Sequence, residues 1–376
     1  NVAIPHKIIY NPDDTDGVLY NIFSPVDMFE SDADKNEALE QLAFQLMPLE
    51  TNMTDTSVFF LTEGRKILTA AMITYYHQGM DFPQICKRII SSSWSTLFSE
   101  IDQNGNYEAK QYINSFEGTN EKNIAGCKQA CDSALKLFAT NSHVYNAIGR
   151  EREGKEAFTP EQLENKNIFV VIQDSKLELY EPLVHIITAQ CMEYFSNRDN
   201  NNQHTILMCL DEFASFGHLE ITPALRKLRK KHVRIMVLTQ SLADIDLIYG
   251  RDERMAMLNN FAYKIVLGCS DSDTQEYFSR LIGEKEVYRK AVSKNGKQVT
   301  NTRTEAKERI VPPAELARLG RHMILLAEGK YYKLTKNYYF ELDLWDRVKK
   351  CINNLSRIQE EDFSEKNTLS LTDENK

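Results

Sequence analysis

Two carboxylate residues, Asp211 and Glu212, directly follow the apolar run Thr205–Leu210. A short apolar run of this kind predicts a buried strand, and parallel strands deliver the residues at their carboxyl ends into the crevice where ligands bind. There the first carboxylate can hold Mg²⁺, usually through water, because Mg²⁺ keeps several of its waters. The second can orient and deprotonate an attacking water. The pattern predicts a Walker B strand, although a strand can also end in two acids by chance.

The next predicted strand along the chain also ends in polar residues. Gln240 ends the following apolar run, RIMVLTQ, and Ser241 comes directly after it. An amide at the tip of the strand beside Walker B can contact a γ-phosphate or the attacking water, and we expect Ser241 to help bind the nucleotide. The competing interpretation is that Gln240 only caps the next helix. Two successive strands that both end in suitable polar groups favour the nucleotide site.

The segment between these strand ends is basic. Ala224–Arg234, ALRKLRKKHVR, carries six arginine and lysine residues. For most of these charges the better interpretation is a solvated helix face. One of them could instead act as an arginine finger, because the planar guanidinium matches phosphoryl oxygens and can be supplied to a neighbouring subunit.

The part of a nucleotide site that cradles phosphates is missing from the sequence. The pattern GxxxxGK[ST] does not occur, since the lysines near Gly64, Gly154 and Gly329 lack the leading glycine and the Ser or Thr. Without that loop nothing holds the β- and γ-phosphates. Either the nucleotide interpretation is wrong or the loop precedes Asn1. Because the chain does not begin with Met, we expect a fragment, inactive as an ATPase on its own.

The elements that must position these residues alternate between apolar strands and helices. This alternation predicts an α/β fold, with a mostly parallel sheet and helices on both faces. From Thr56 onward about a hundred residues instead show only helical spacing, which predicts an inserted all-α domain. The polar stretch Ser293–Lys307 is predicted to be a loop or hairpin. The predicted domains are 1–55 (first part of the motor domain), 56–163 (all-α insertion), 164–350 (second part, with Walker B) and 351–376 (polar acidic tail, disordered).

The composition of the chain excludes several classes of protein. The formal net charge is −9, so any contact with nucleic acid must come from local basic patches rather than from the whole surface. No run approaches the 18 or so apolar residues of a membrane span. The seven cysteines form no CxxC pair and are interpreted as reduced thiols of a cytosolic protein, not as a disulfide framework or a zinc site.

The order of these motifs resembles a known family. LDEFASFGHLE, LRKLRKKHVRIMVLTQSLADIDLIYG and NNFAYKIVLGCSDSDTQEYFSRLIGEKEV are similar to the TraG/TraD family of type IV coupling proteins, the DNA-pumping ATPases of conjugative and type IV secretion systems. The opening NPDDTDGVLYNIFSPVDMF resembles the stretch that follows Walker A in that family. The resemblance covers about residues 7–340.

The resemblance implies a RecA-like P-loop motor core with an inserted all-α domain, ATP and Mg²⁺ as cofactors, and a homo-hexamer with nucleotide between subunits. Asp211 and Glu212 match the family's Walker B pair, Gln240 matches its sensor glutamine, and Arg229 falls where members carry a trans-acting arginine. The implied partners are single-stranded DNA, a relaxase or relaxosome, and type IV secretion channel proteins. The implied location is the cytoplasmic side of the cell membrane, although the family's transmembrane helices and Walker A loop are not in this sequence.

Three functional hypotheses follow. The first is a coupling-protein ATPase that links ATP hydrolysis to delivery of single-stranded DNA with its relaxase, or of effector protein, into a type IV secretion channel. The alternative is a truncated, non-hydrolysing paralogue that uses the helical domain as an adaptor for relaxosome or effector proteins. A third is another RecA-like translocase such as the FtsK group, against which the long helical insertion argues. The nucleotide sequence before Asn1 discriminates between the first two.

Overall fold

The structure, a computed structural model, describes residues 6–49, 53–152, 154–201, 204–295, 298–341, 345–346 and 349–350. The chain divides into two compact units between Asn260 and Phe261. This division differs from the domain boundaries predicted from the sequence, which stay a prediction. The predicted disordered tail, 351–376, lies outside the described residues.

The first unit opens with two short strands and two helices: β1 (Lys7–Tyr10), β2 (Leu19–Tyr20), α1 (Ser24–Asp27) and α2 (Asp32–Leu46). β1 ends at a turn in which the Asn11 side chain accepts a hydrogen bond from the Asp13 amide at 3.0 Å. α2 begins at Asp32, because the Ser31 hydroxyl accepts a bond from the Asp34 amide at 3.1 Å and so caps the first turn.

The next segment consists of helices: α3 (Asp55–His77), α4 (Phe82–Ser91), α5 (Trp94–Asn104), α6 (Tyr107–Asn114), α7 (Glu121–Thr140) and α8 (Ser142–Ala147). Each begins at a residue whose side chain caps the helix: Thr54, Asp81, Ser93, Asn106, Asn120 and Asn141. α3 is the central helix of the segment, since Ile67–Ile73 is buried throughout. The helical character that the sequence predicts from Thr56 onward is confirmed in this segment.

The remainder of the first unit alternates between strands and helices: β3 (Ala157–Phe158), β4 (Asn167–Val170), α9 (Leu177–Asn197), β5 (Ile206–Leu210), α10 (Ile221–Leu228), β6 (Val233–Val237) and α11 (Leu242–Asn260). The strands form parallel pairs, β1 with β4, β2 with β3, and β5 with β6. α10 packs against β6. The other face of the β5–β6 pair carries the exposed apolar side chains of Leu207 and Met236.

One ion pair ties the helical segment to the start of the chain. Arg150, which follows α8, donates to the Asp27 carboxylate with a shortest distance of 2.8 Å. Its guanidinium lies 5.1 Å from the ring centre of Phe23 and 5.0 Å from that of Tyr76. Charge and cation–π contacts therefore hold the end of the helical segment against α1 and the residue before it.

The second unit is built on antiparallel strands. Its elements are β7 (Tyr263–Val266), α12 (Ser272–Ile282), β8 (Glu284–Asn295), β9 (Gln298–Arg309), α13 (Pro313–Leu316), β10 (His322–Ala327) and β11 (Lys330–Thr335). β10 lies between β7 and β11, antiparallel to both. Glu328 and Gly329 join β10 to β11, and both have positive φ, which matches the right-handed twist of a tight hairpin. β8 and β9 form a separate hairpin, so the predicted polar loop or hairpin is a hairpin that starts earlier, at Glu284.

The lengths and apolar content of the helices bear on membrane insertion. Among the described residues, no helix combines the length and the apolar character needed to cross a membrane.

Candidate active site

The pairing register of β5 and β6 places the predicted polar residues at the carboxyl end of both strands. Leu210 is opposite Val237, so the residues that follow both strands emerge together. The pairing continues past the strand ends, because the Leu238 amide donates to the Leu210 carbonyl at 3.0 Å and the Phe213 amide donates to the Leu238 carbonyl at 2.9 Å. Asp211 and Glu212 are thereby held beside the segment that leads to Gln240.

The side chains of Glu212 and Gln240 are hydrogen-bonded to each other. The Gln240 amide Nε2 donates to Glu212 Oε2 at 3.0 Å. Glu212 itself has left-handed backbone angles, φ 52° and ψ 55°, which cost a residue with a Cβ about 1–2 kcal/mol. The structure thus brings together a carboxylate and an amide from the ends of successive strands, and the backbone is strained at the carboxylate residue.

The residues at the carboxyl end of β5 and β6 can bind a ligand only where water reaches them. Asp211 and Gln240 are exposed and Glu212 is partly exposed, so each can exchange its present contacts for ligand or water. Beyond these contacts, the Asp211 carboxylate accepts a bond from the Glu212 amide at 3.1 Å. Within the part of the chain that the structure describes, no group of three or more His, Cys, Asp or Glu side chains could hold a metal ion. An exposed single carboxylate fits Mg²⁺ held through water, because that ion takes its other ligands from waters and phosphates.

Ser241 has a local partner at the start of α11. Its hydroxyl donates to Asp244 Oδ2 at 2.7 Å and accepts a bond from the Asp244 amide at 3.1 Å. These bonds are those of a helix N-cap. Ser241, rather than Gln240, therefore caps α11, which leaves the Gln240 side chain to bond with Glu212. The predicted contact of Ser241 with nucleotide stays a prediction.

Arg229 lies at the opposite end of the strand pair. It is exposed and begins a turn of 3-10 helix that leads into the amino end of β6. Five residues of β6 separate that end from the carboxyl end, a distance of about 16 Å at roughly 3.3 Å per residue. Within one chain Arg229 is therefore not brought together with Glu212 and Gln240.

The residues that follow Glu212 are fixed against α11 by Tyr249. The Tyr249 ring stacks on Phe213, with centroids 5.5 Å apart. Its hydroxyl accepts a bond from the Leu219 amide at 3.0 Å and donates to the Gly217 carbonyl at 3.3 Å. Gly217 has φ 68°, and a Cβ there would lie 2.0 Å from Glu181 Oε1. The sequence signal for Tyr249 was its place in the segment IYG that follows Gln240, but nothing in the sequence assigned it this contact.

The amino ends of β5 and β6 are held by Arg198, which sequence reasoning missed. Arg198 is 5% exposed, and it donates from Nε to Glu164 Oε1 at 2.6 Å and from Nη2 to Glu164 Oε2 at 2.7 Å. Its Nη1 donates to the carbonyls of His204 at 2.8 Å and Lys231 at 2.6 Å, the residues that lead into the two strands. No spacing in the sequence pairs residues 164 and 198, so only the fold reveals this anchor.

A family model described as type IV secretory system conjugative DNA transfer matches residues 6–366 of the chain. Among characterised proteins, Protein VirD4 of Agrobacterium fabrum is 23% identical over 195 residues, which are 50% of this chain and 28% of that protein. Protein VirD4 of Rhizobium radiobacter is 24% identical over the same length and coverage. The matched part therefore spans less than a third of these relatives.

Solved structures of a coupling protein share the fold. The unbound bacterial conjugative coupling protein TrwBΔN70 superposes with a TM-score of 0.70 at 20% identity, over 89% of this chain and 76% of that one. Plasmid coupling protein TrwB in complex with ADP and Mg²⁺ superposes with a TM-score of 0.66 at 20% identity, over 89% and 75%. At this identity the likeness shows the fold, a RecA-like motor core with an all-α domain, as the sequence predicts.

Proposed function

Because this chain belongs to the type IV secretory system conjugative DNA transfer family of coupling proteins, we propose that it is the motor of such a protein. In this proposal, ATP hydrolysis is linked to delivery of single-stranded DNA with its relaxase, or of effector protein, into a type IV secretion channel. The protein acts as a homo-hexamer on the cytoplasmic side of the membrane. VirD4 and TrwB support the secretion and conjugation role, since both are similar to this chain.

The observation that carries the proposal is the hydrogen bond between Gln240 and Glu212 at the carboxyl end of β5. In this proposal Asp211 holds Mg²⁺ through water, and the bound ion would supply positive charge that offsets the charge of the phosphates. Glu212 is the proposed general base, which takes a proton from the attacking water. Gln240, which contacts Glu212 directly, orients that carboxylate and links it to α11. TrwB was solved with ADP and Mg²⁺ and with an ATP analogue, which supports ATP and Mg²⁺ as the cofactors here.

In this proposal Arg229 acts on nucleotide that is bound by a neighbouring subunit. It is exposed, lies at the far end of β6 from Glu212, and begins a basic turn. An arginine in that position can reach a phosphate across an interface, where it stabilises charge that develops during phosphoryl transfer. The proposed role of Arg229 therefore requires the proposed hexamer.

Hydrolysis needs a phosphate-binding loop in addition to these residues, and GxxxxGK[ST] does not occur among the 376 residues. The adaptor hypothesis rests on the same fact. The two hypotheses differ in whether the complete gene product turns over ATP.

The test is to measure ATP hydrolysis by the purified complete gene product with and without a single-stranded oligonucleotide. The proposal predicts Mg²⁺-dependent turnover that rises when the oligonucleotide is added, because a DNA motor couples the two. A gene product that neither binds nor hydrolyses ATP but still binds relaxase or effector would contradict the motor and establish the adaptor.

A further inference from the structure

The backbone of Glu212 is strained, so contacts of the neighbouring residues must hold it. Its left-handed angles, φ 52° and ψ 55°, persist in a residue with a Cβ only where the surrounding structure fixes them. One such contact is the bond from the Phe213 amide to the Leu238 carbonyl at 2.9 Å. Another is the bond from the Ser215 amide to the Glu212 carbonyl at 2.8 Å, within the turn of 3-10 helix Phe213–Phe216. The orientation of the Glu212 side chain therefore depends on how that turn is anchored.

Tyr249, on α11, anchors this turn and the residues that follow it. Its ring is buried and stacks on Phe213 with an interplanar angle of 11°. Its hydroxyl accepts a bond from the Leu219 amide at 3.0 Å and donates to the Gly217 carbonyl at 3.3 Å. One side chain thus contacts both ends of the segment 213–219. Because both partners of the hydroxyl are backbone groups, Tyr249 determines where the backbone of this segment lies.

The part of α11 that carries Tyr249 is short and is held at both ends. It begins at Leu242, two residues after Gln240, whose side chain donates to Glu212 at 3.0 Å. It ends at Tyr249, because Gly250 has φ 72° and ψ 164° and interrupts the helix. This piece of helix spans about 12 Å at roughly 1.5 Å per residue. It therefore links the residue that contacts Glu212 directly to the residue that anchors the turn after Glu212.

Further contacts fix the two parts of α11 around this segment. Arg254, which is 7% exposed, donates to Asp246 at 2.6 Å across the break in the helix. Glu253 Oε2 lies 3.2 Å from Nε2 of His218, and the His218 ring lies 4.8 Å from the ring of Tyr249. The segment after Glu212 is therefore held by residues on both sides of the break.

We propose that Tyr249 is a positioning residue for Glu212, which holds the following segment so that the carboxylate faces the attacking water. This inference rests on the proposed hydrolysis of ATP and names a residue that controls that site. Tyr249 acts through Glu212 and does not itself contact the nucleotide. Its effect is large enough to measure, because a misplacement of about 1 Å can lower turnover by about 100-fold.

The test compares two tyrosine-to-phenylalanine variants of the complete gene product. Tyr249→Phe keeps the ring on Phe213 and removes both hydroxyl bonds, so kcat for ATP is expected to fall about tenfold while KM stays unchanged. Tyr75→Phe is the matched control, because Tyr75 on α3 is also buried and its hydroxyl donates to Glu100. Urea unfolding should show similar losses of stability in both variants, and the control should keep wild-type turnover.

A double-variant cycle separates positioning from folding. In the Glu212→Gln variant the general base is already absent, so adding Tyr249→Phe is expected to change the residual turnover by less than about twofold. A merely structural role of Tyr249 would lower turnover by the same factor with and without Glu212, and that result would overturn the inference.

Hydrogen exchange tests the anchor without relying on turnover. The Leu219 amide loses its acceptor in Tyr249→Phe, so a peptide spanning residues 213–220 is expected to exchange faster than in the wild type. The same peptide should exchange at the wild-type rate in Tyr75→Phe. Unchanged exchange in Tyr249→Phe would overturn the anchor whatever the turnover.

The remaining outcomes divide between Tyr249 and the proposed function. If the wild type hydrolyses ATP and Tyr249→Phe hydrolyses it equally fast, the positioning role is wrong and the proposed function stands. If the wild type does not hydrolyse ATP, the proposed function fails together with the positioning role.

Discussion

The two ends of the β5–β6 pair are built in opposite ways. At the amino end, Arg198 is buried and bonded to Glu164 and to the carbonyls of His204 and Lys231, so its guanidinium is enclosed by acceptors. At the carboxyl end, Asp211 and Gln240 are exposed. There the bond between Gln240 and Glu212 is open to exchange with water or ligand.

This difference implies that the two ends of one pair of strands serve different purposes, one for stability and the other for the proposed reaction. A buried ion pair leaves an uncompensated charge when either partner is removed, so it must stay intact for the fold. An exposed carboxylate contributes little to stability, so replacing it should leave the fold intact and test the proposed reaction alone. The amino end should therefore govern folding, and the carboxyl end should govern turnover.

The largest expected effect on stability is at the amino end. Arg198→Met removes a buried guanidinium that bonds to the Glu164 carboxylate and to the carbonyls of His204 and Lys231, and it is expected to lower the free energy of unfolding by about 3–5 kcal/mol. Urea unfolding followed by circular dichroism measures it. The double variant Arg198→Met/Glu164→Leu removes both charges and should recover much of the loss. Equal stability of Arg198→Met and the wild type would remove the distinction between the two ends.

A smaller effect is expected just beyond Glu212. Gly217→Ala places a Cβ at φ 68° and is expected to cost about 1–2 kcal/mol of stability through backbone strain. The Cβ would lie 2.0 Å from Glu181 Oε1, but that atom is the end of a flexible side chain that can move aside. Gly154→Ala is the matched control, because Gly154 also has positive φ, 78°, and nothing lies within 4 Å of its Cβ. Thermal unfolding should show similar losses in the two variants, and a much larger loss in Gly217→Ala would contradict backbone strain as the cause.

The smallest effect is a dependence on pH from His185, on α9. Burial lowers the pKa of His185 below its usual value. As pH falls below the ordinary histidine value near 6.5, the unfolded chain takes up a proton before the folded one does, so stability should fall. His185→Gln should reduce this dependence by up to a few tenths of a kcal/mol between about pH 7 and 6. Denaturant unfolding at both pH values measures it, and an unchanged slope would contradict the assignment.

Much of the carboxyl end could be predicted from the sequence, and the amino end could not. Asp211, Glu212 and Gln240 each end an apolar run, and parallel pairing then places them at one edge. Their positions therefore follow from local pattern and register. The contact between Arg198 and Glu164 joins residues that no periodicity relates, so only tertiary packing shows it.

Helix capping and turn geometry account for further features that the sequence alone does not decide. Ser241 takes the capping role that was weighed for Gln240, because its hydroxyl reaches the Asp244 amide three residues on. The antiparallel β10–β11 pair depends on a two-residue turn, Glu328-Gly329, whose positive φ values favour a hairpin. The extent of the β8–β9 hairpin was underestimated because its polar strands lack an apolar face.

The most direct test of the carboxyl end is the variant Glu212→Gln in the complete gene product. It keeps the shape of the side chain and removes the carboxylate, so ATP binding, measured with a fluorescent analogue, should stay within about twofold of wild type. Turnover should fall by about 100-fold or more, since a general base is lost. Glu178→Gln, an exposed acid on α9, is the matched control and should hydrolyse ATP normally. Wild-type turnover in Glu212→Gln would contradict the assignment of this edge as the hydrolytic site.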